Sequence, residues 1–138
     1  MITQINIKPR YQETDQMQVV HHSVYPVWYE LGRIDYCDQL GLPFHEIEAK
    51  GLRQALVELE VKYLKPTVFG QTYALHTKVI RSTKVKLVFS FELVDEDGQV
   101  VNKGKTLLAW LDESLRPLNL AKAHPDIYTL LEKHIEKE

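Results

Sequence analysis

Titratable and aromatic side chains concentrate in the segment 10–33, RYQETDQMQVVHHSVYPVWYELGR. The groups able to do chemistry there are the carboxylates of Asp15 and Glu30 and the imidazoles of His21 and His22. A carboxylate can attack an electrophilic carbon or take a proton from water, and an imidazole can transfer protons near neutral pH. Aspartate is also common in turns and helix caps, so the residue type alone favours a structural role for Asp15.

The adjacent histidines raise the question of a metal site, because imidazole is a common zinc ligand. Neighbouring side chains at a strand end or helix start are expected to diverge, and the chain has no HExxH motif and no paired cysteines. The sequence therefore predicts no metal and no other cofactor. The single cysteine, Cys37, lies among apolar residues of a predicted helix and is expected to be buried and free.

The segment lies where a predicted strand gives way to a predicted helix. Residues 2–9 alternate in polarity, which is typical of a strand. From Ser23, a candidate N-cap, to about Leu40 the apolar residues have helical spacing, and Gly41 ends the pattern. One apolar stripe is Val24, Val27, Trp28, Leu31 and Ile34, and a second apolar face beside it carries Tyr25, Tyr29 and Tyr36. This helix is expected to be buried on most sides.

The rest of the chain is dominated by strands. Alternating patterns over 55–63, 73–79, 85–93 and 100–111 predict four strands, with the DEDG sequence at 95–98 as a turn, and 124–137 predicts a helix. One long helix must then cover the apolar face of an antiparallel sheet, which predicts an α+β fold with a curved sheet wrapped around that helix. Such a monomer leaves a sheet edge open, so a homodimer or homotetramer is expected.

Composition narrows the possible partners and compartment. The 138 residues are expected to form one domain, 1–138, and no apolar stretch is long enough to span a membrane. The net charge of −2 gives no basic field to attract nucleic acid. Polar residues interrupt the N-terminal apolar ones, unlike a secretory signal, so a cytoplasmic protein is expected.

The segment 10–33 resembles the 4-hydroxybenzoyl-CoA thioesterase family of hotdog proteins, and in particular its bacterial acyl-CoA thioesterase branch. The matching residues are Thr14, Asp15, Val19, Val20, His22, Tyr25, Glu30 and Arg33. VKYLKPTVFGQT at 61–72 and RSTKVKLVFSFELVDEDGQVV at 81–101 are similar to the family's Pro and Gly turn and to its central hairpin. The resemblance spans nearly the whole chain and implies the hotdog fold.

The resemblance also implies an activity, the hydrolysis of an acyl-CoA thioester to a carboxylic acid and CoA. It places Asp15 as nucleophile or general base, and the backbone amide at His22 as the donor to the oxyanion. The His22 side chain would help to orient the carboxylate or a water. Free N–H groups at a helix start are suitable oxyanion donors.

Several residues are candidates for contacts with the acyl group and with CoA. Tyr25 and Trp28 could border an acyl channel, although aromatic residues at this spacing are usually core. Glu30 could act from a neighbouring subunit, or simply pair with Arg33. The candidates for the CoA phosphates are Lys62, Lys65 and the turn carrying Arg81, Ser82 and Lys84, where the family often places nucleotide contacts.

Two departures from the family affect substrate choice. Gln16, Met17 and Gln18 stand where relatives often have small residues, especially glycine, and Val24 stands where they commonly have asparagine. Two other functions stay open. One is an acyl-thioester binding protein without turnover, and the other is a hydroxyacyl-thioester dehydratase that would use His22 and Glu30.

Overall fold

A computed structural model describes residues 1–138 and has one five-stranded antiparallel sheet in the order β1-β3-β4-β5-β2. The strands are β1 Ile2–Ile7, β2 Arg53–Tyr63, β3 Tyr73–Ser82, β4 Lys86–Val94 and β5 Val100–Leu111. The helices are α1 Tyr25–Gln39, α2 Phe44–Ala49, α3 Leu120–Ala123 and α4 Pro125–Lys133. This confirms the predicted α+β arrangement of a long helix against an antiparallel sheet.

The strand register gives the sheet two distinct ends. One end, called the site end below, carries Ile7, Tyr73, Val94, Asn102 and Tyr63. The opposite end, the far end, carries Ile2, Ser82, Lys86, Leu111 and Arg53. The predicted DEDG turn joins β4 to β5 at the site end, where Asp95 Oδ1 accepts from the N–H groups of Asp97 and Gln99.

Helix α1 lies close against the sheet because two glycines leave room for it. A Cβ on Gly32 would lie 2.5 Å from Thr77 Oγ1, and one on Gly104 would lie 2.5 Å from Tyr29 Cε2. The Tyr29 ring therefore fits over Gly104 and stacks on Phe91 with the ring centroids 4.5 Å apart. Its hydroxyl donates to the buried Asn102 side chain.

The prediction that α1 is buried on most sides is partly wrong. Val27 and Leu31 are exposed, whereas the buried positions are Tyr25, Trp28, Tyr29, Gly32, Tyr36 and Cys37. The tyrosine face is thus the main inner face, since rings can reach across the glycines to the sheet. Cys37 is buried and free, as predicted.

Strand β2 is the least covered part of the sheet. It forms one edge, and Leu56, Val57, Leu59 and Tyr63 are all exposed although the strand pairs along its length with β5. A bulge between Leu56 and Glu58 interrupts the pairing. Of these apolar residues, Leu56, Leu59 and Tyr63 pair with buried residues of β5, so they share the helix side of the sheet. The single chain leaves an apolar strand uncovered.

The C-terminal helix ends earlier than predicted, at Lys133 rather than about residue 137. The Glu136 N–H donates to the Val79 carbonyl, and the Glu136 carboxylate pairs with the N-terminal amine at 2.8 Å. These contacts draw the tail along β3 and β1 and prevent helix continuation. None of the helices has both the length and the apolarity to cross a membrane.

Candidate active site

Asp15 lies at the turn of a short two-stranded ribbon, residues 13–22, which follows β1 along the chain. Thr14 and Val20 form a bridge, the Asp15 N–H donates to the Val19 carbonyl, and the His21 N–H donates to the Glu13 carbonyl. Asp15 Oδ1 accepts from the Met17 N–H at 2.8 Å, and the turn closes with the Gln18 N–H on the Asp15 carbonyl. One carboxylate oxygen thus holds the turn, and Oδ2 makes no hydrogen bond within the chain.

The His22 N–H is the free donor of this ribbon. The N–H groups of Val20 and His21 donate to Thr67 and Glu13, whereas that of His22 donates to no group in the chain. His22 is exposed and lies three residues before the first residue of α1. Asp15 and His22 therefore share one ribbon at the helix start, and no hydrogen bond joins them.

The ribbon is anchored by a residue that the sequence analysis missed. Glu13 is only 6% exposed, its Oε1 accepts from the Arg10 N–H at 2.7 Å, and its Oε2 accepts from Trp28 Nε1 at 3.1 Å. Arg10 also places its guanidinium 3.5 Å from the same carboxylate. The only available signal was a glutamate three residues after an arginine, which is too common a pattern to indicate burial.

Two expectations about the helix start are wrong. Ser23 does not cap α1; its hydroxyl lies 2.8 Å from His21 Nδ1, and the N-cap position is Val24, which makes no side-chain cap. The two imidazoles do not diverge either, since their ring centroids are 4.0 Å apart. Within the chain, no three His, Cys, Asp or Glu side chains are grouped so that they could hold a metal ion.

Tyr25 and Trp28 lie directly beneath the ribbon. Both are 3% exposed, and their rings meet edge to face with centroids 5.2 Å apart. Burial raises the pKa of Tyr25 above its ordinary value of 10.0. The two rings pack under the ribbon, and Trp28 is bonded to its Glu13 carboxylate. That Tyr25 and Trp28 border an acyl channel stays a prediction.

Glu30 and Arg33 line an apolar groove of about 650 Å³ near the far end of β2. Its other walls come from Ile34, Phe44, Ile47, Leu52, Leu56 and Leu108, among others. No ion pair forms between Glu30 and Arg33, and burial lowers the pKa of the Arg33 guanidinium. Arg33 Nε and Gln54 Nε2 are buried there without a hydrogen-bond acceptor.

The basic candidates divide between the two ends of the sheet. Lys62 and Lys65 lie at or beside the site end. Lys65 Nζ donates to the Gln99 side chain, and Lys62 Nζ lies 3.7 Å from Glu60 Oε1. Arg81, Ser82 and Lys84 lie at the far end, around the β3–β4 turn, with Arg81 and Lys84 exposed. In one chain the Arg81–Lys84 turn is therefore at the opposite end of the sheet from Asp15.

The geometry suits acyl transfer. A carboxylate with one free oxygen and a free backbone N–H at a helix start lie on the same short ribbon, and such a donor, aided by the helix dipole, can stabilise an oxyanion. The apolar groove could accept a carbon chain or ring.

Comparison with known proteins agrees with this chemistry. The sequence profile of the Thioesterase-like superfamily matches residues 9–129. YneP of Bacillus subtilis (strain 168), named as a candidate acyl-CoA thioesterase, is 33% identical over 133 residues, 96% of each chain. ATL2 of Arabidopsis thaliana, an acyl-acyl carrier protein thioesterase, is 30% identical over 83% of this chain and 61% of its own.

Among solved structures, a DHNA-CoA thioesterase from Staphylococcus aureus superposes with a TM-score of 0.91 at 28% identity, covering 96% of this chain and 89% of its own. The hotdog fold expected from the sequence is confirmed. The profile match covers far more than half of the chain, and the chain therefore belongs to the Thioesterase-like superfamily, as a hydrolase with the hotdog fold.

Proposed function

We propose that the chain hydrolyses an acyl-CoA thioester, with Asp15 as nucleophile or general base and the His22 N–H as oxyanion donor. The observation that carries this proposal is the free His22 N–H on the ribbon that carries Asp15. The carboxylate attacks the thioester carbonyl, or removes a proton from a water that does. The C–S bond then breaks, CoA leaves as the thiol, and one water is consumed per carboxylic acid released.

A second copy of the chain completes the site in this proposal. Antiparallel pairing of two β2 edges around a two-fold axis sets the Arg53 end of each strand beside the Tyr63 end of the other. The groove with Glu30 then adjoins the Asp15 ribbon of the neighbouring copy, which unites an acyl pocket with the acid. The exposed Leu56 and Leu59 support the pairing, because an uncovered apolar edge strand favours association.

The same pairing sets the Arg81–Lys84 turn at the same edge of the extended sheet as the neighbouring site end, which carries Lys62 and Lys65. Together these cations form a path for the phosphates of a CoA that extends away from the thioester. Association into a homotetramer, a cytoplasmic location and a preference for CoA over acyl carrier protein stay predictions.

The test is Asp15→Asn, assayed as free CoA released from a panel of short, medium, long and aromatic acyl-CoA substrates. Asparagine keeps an oxygen that can accept from the Met17 N–H, so the turn is preserved while the reactive carboxylate is lost. We expect kcat to fall about a hundredfold or more, in the range attributed to a positioned acid or base, with the oligomer size unchanged.

Gln12→Ala is the matched control, because Gln12 is exposed and lies in the short turn that leads into the same ribbon. Near-full activity of Asp15→Asn would remove Asp15 from the mechanism. CoA binding without hydrolysis of any substrate in the panel would instead favour a binding protein, and enoyl product from a hydroxyacyl-CoA would favour the dehydratase.

A further inference from the structure

Tyr63 connects the edge strand to the ribbon. It is the last residue of β2, and its hydroxyl donates to the His22 carbonyl at 2.8 Å. Its ring meets the Tyr25 ring edge to face, with centroids 5.3 Å apart. The side chain is 53% exposed, so hydrophobic burial alone does not account for a tyrosine at this position.

The Tyr63 hydroxyl binds the backbone of His22, the residue whose N–H is free. The peptide carrying the His22 N–H is held by the Val24 N–H, which donates to the His21 carbonyl at 3.0 Å. The next peptide is held by Tyr63 on its carbonyl and by His21 Nδ1, 3.2 Å from the Ser23 N–H. The backbone of His22 is thus fixed on both sides.

Tyr63 supplies the only hydrogen bond to this segment from the edge strand. His21 and Val24 belong to the same few residues as His22 and move with them, whereas Tyr63 is anchored in the sheet through the pairing of β2 with β5. Without the hydroxyl, the peptide between His22 and Ser23 keeps only the bond from its N–H to His21 Nδ1, so the backbone on the C-terminal side of the His22 N–H is held less firmly.

We propose that Tyr63 is a positioning residue that aims the His22 N–H at the oxyanion. This inference rests on the proposed function. An oxyanion donor is effective only when it is held in place before charge develops, so a misaligned N–H lowers kcat more than it weakens substrate binding.

The test is Tyr63→Phe, which keeps the ring and its contact with Tyr25 but removes the donor. We expect kcat to fall about tenfold with KM, oligomer size and melting temperature nearly unchanged, since the lost hydrogen bond is an exposed one and the pairing of β2 with β5 is kept. Tyr11→Phe is the matched control. Tyr11 is an exposed tyrosine that begins the turn before the ribbon, and its hydroxyl makes no hydrogen bond within the chain.

Two further measurements separate positioning from other roles. The pH profile of kcat should keep its shape in Tyr63→Phe; loss of its basic limb would make Tyr63 a proton donor and overturn the inference. Amide hydrogen exchange should become at least several-fold faster at Ser23 and Val24, whose N–H groups depend on the held peptide.

The exchange measurement also distinguishes the two proposals. If the wild-type protein hydrolyses no thioester, the proposed function fails, and with it the role of Tyr63 in turnover, whatever the exchange rates. If the wild type is active but Tyr63→Phe matches it in kcat and in exchange at Ser23 and Val24, the positioning role alone is overturned.

Discussion

Trp28 Nε1 donates to Glu13 Oε2 at 3.1 Å and thereby ties helix α1 to the ribbon that carries Asp15. The other carboxylate oxygen accepts from the Arg10 N–H, so both oxygens of a nearly buried side chain are occupied by donors. An amide at this position offers one oxygen and one NH₂ group, and the NH₂ group would face a donor. We therefore expect Glu13→Gln to lower the free energy of unfolding by about 1–3 kcal/mol, the cost of an unsatisfied buried donor.

Urea unfolding followed by tryptophan fluorescence measures this effect. Gln12→Ala, which changes the exposed neighbour in the same turn, is the control and should be nearly neutral. Because the ribbon depends on Glu13, the same variant should also lose activity at temperatures where it remains folded. A Glu13→Gln protein as stable as the wild type would mean that the two hydrogen bonds contribute little.

The sequence was sufficient for the order of the strands and of the long helix, but not for the short helices α2 and α3 or for the face of α1 that packs on the sheet. Strand alternation and the DEDG turn are local signals, and β3, β4 and β5 lie within a few residues of their predicted bounds. When a helix has two apolar faces, the spacing of the residues does not show which of the two packs on the sheet. The tyrosine face packs there because Gly32 and Gly104 leave room for the rings close to the sheet. This packing depends on tertiary contacts, which the local pattern does not contain.

The residues of the candidate site also divide into those that the sequence could predict and those that it could not. Asp15 and His22 came from a resemblance in one continuous segment, and the structure places both on one ribbon. Glu13 and Tyr63 could not be predicted, because their roles depend on contacts with Trp28 and with the His22 carbonyl across gaps of 15 and 41 residues. The separation of the Arg81–Lys84 turn from Asp15 follows from strand register, which composition does not reveal.

Gln18 is expected to store strain in the turn after Asp15. Its φ is +65°, in the left-handed region where a residue with a Cβ costs about 1–2 kcal/mol. Glycine avoids that cost but loses more backbone entropy on folding, about 0.5–1 kcal/mol. Gln18→Gly should therefore raise the free energy of unfolding by about 0.5 kcal/mol, the difference between the two.

Chemical unfolding measures this small gain, and Gln16→Gly is the control, since Gln16 is not among the positive-φ residues and glycine there should only destabilise. A loss of stability in Gln18→Gly would contradict the prediction and indicate that the glutamine side chain contributes a contact. The activity panel run on Gln18→Gly would also establish how far this departure from the family sets substrate choice.

Cys37 should be unreactive in the folded protein. Burial, aided by Asp38, raises its pKa to about 12, so at pH 8 only about one thiol in ten thousand is the reactive thiolate. A disulfide reagent should therefore detect released CoA with little background from the protein, and one thiol per chain should appear only in denaturant. Rapid modification without denaturant would mean that α1 opens readily.

The same shift gives a pH dependence of stability. The thiol of the unfolded chain ionises near its ordinary pKa of 9.0, whereas the folded one stays protonated up to about pH 12. Above about pH 9 the unfolded state thus binds fewer protons, and the free energy of unfolding must fall as the pH rises towards 12. Cys37→Ala removes this contribution and should flatten the decline between about pH 9 and 11 in urea unfolding. An unchanged slope would contradict the assignment.

Strand β2 offers the sharpest test of assembly. Leu59 is 42% exposed and pairs with the buried Thr106, so it faces the helix side of the sheet where α1 leaves β2 uncovered. If a second copy covers this face, Leu59→Arg buries an unpaired charge in the interface and should convert the protein to monomers, as measured by sedimentation velocity. Thiol release should be lost with the oligomer, because the groove and the Asp15 ribbon then no longer meet.

Glu58→Arg is the matched control, since it places an arginine on the neighbouring residue, which is exposed and lies on the opposite face of β2. It should preserve both assembly and activity. A monomeric Leu59→Arg protein with full activity would mean that one chain holds a complete site. In that case the groove with Glu30 would have no part in binding the acyl group, and the substrate would lie along the Asp15 ribbon of a single chain.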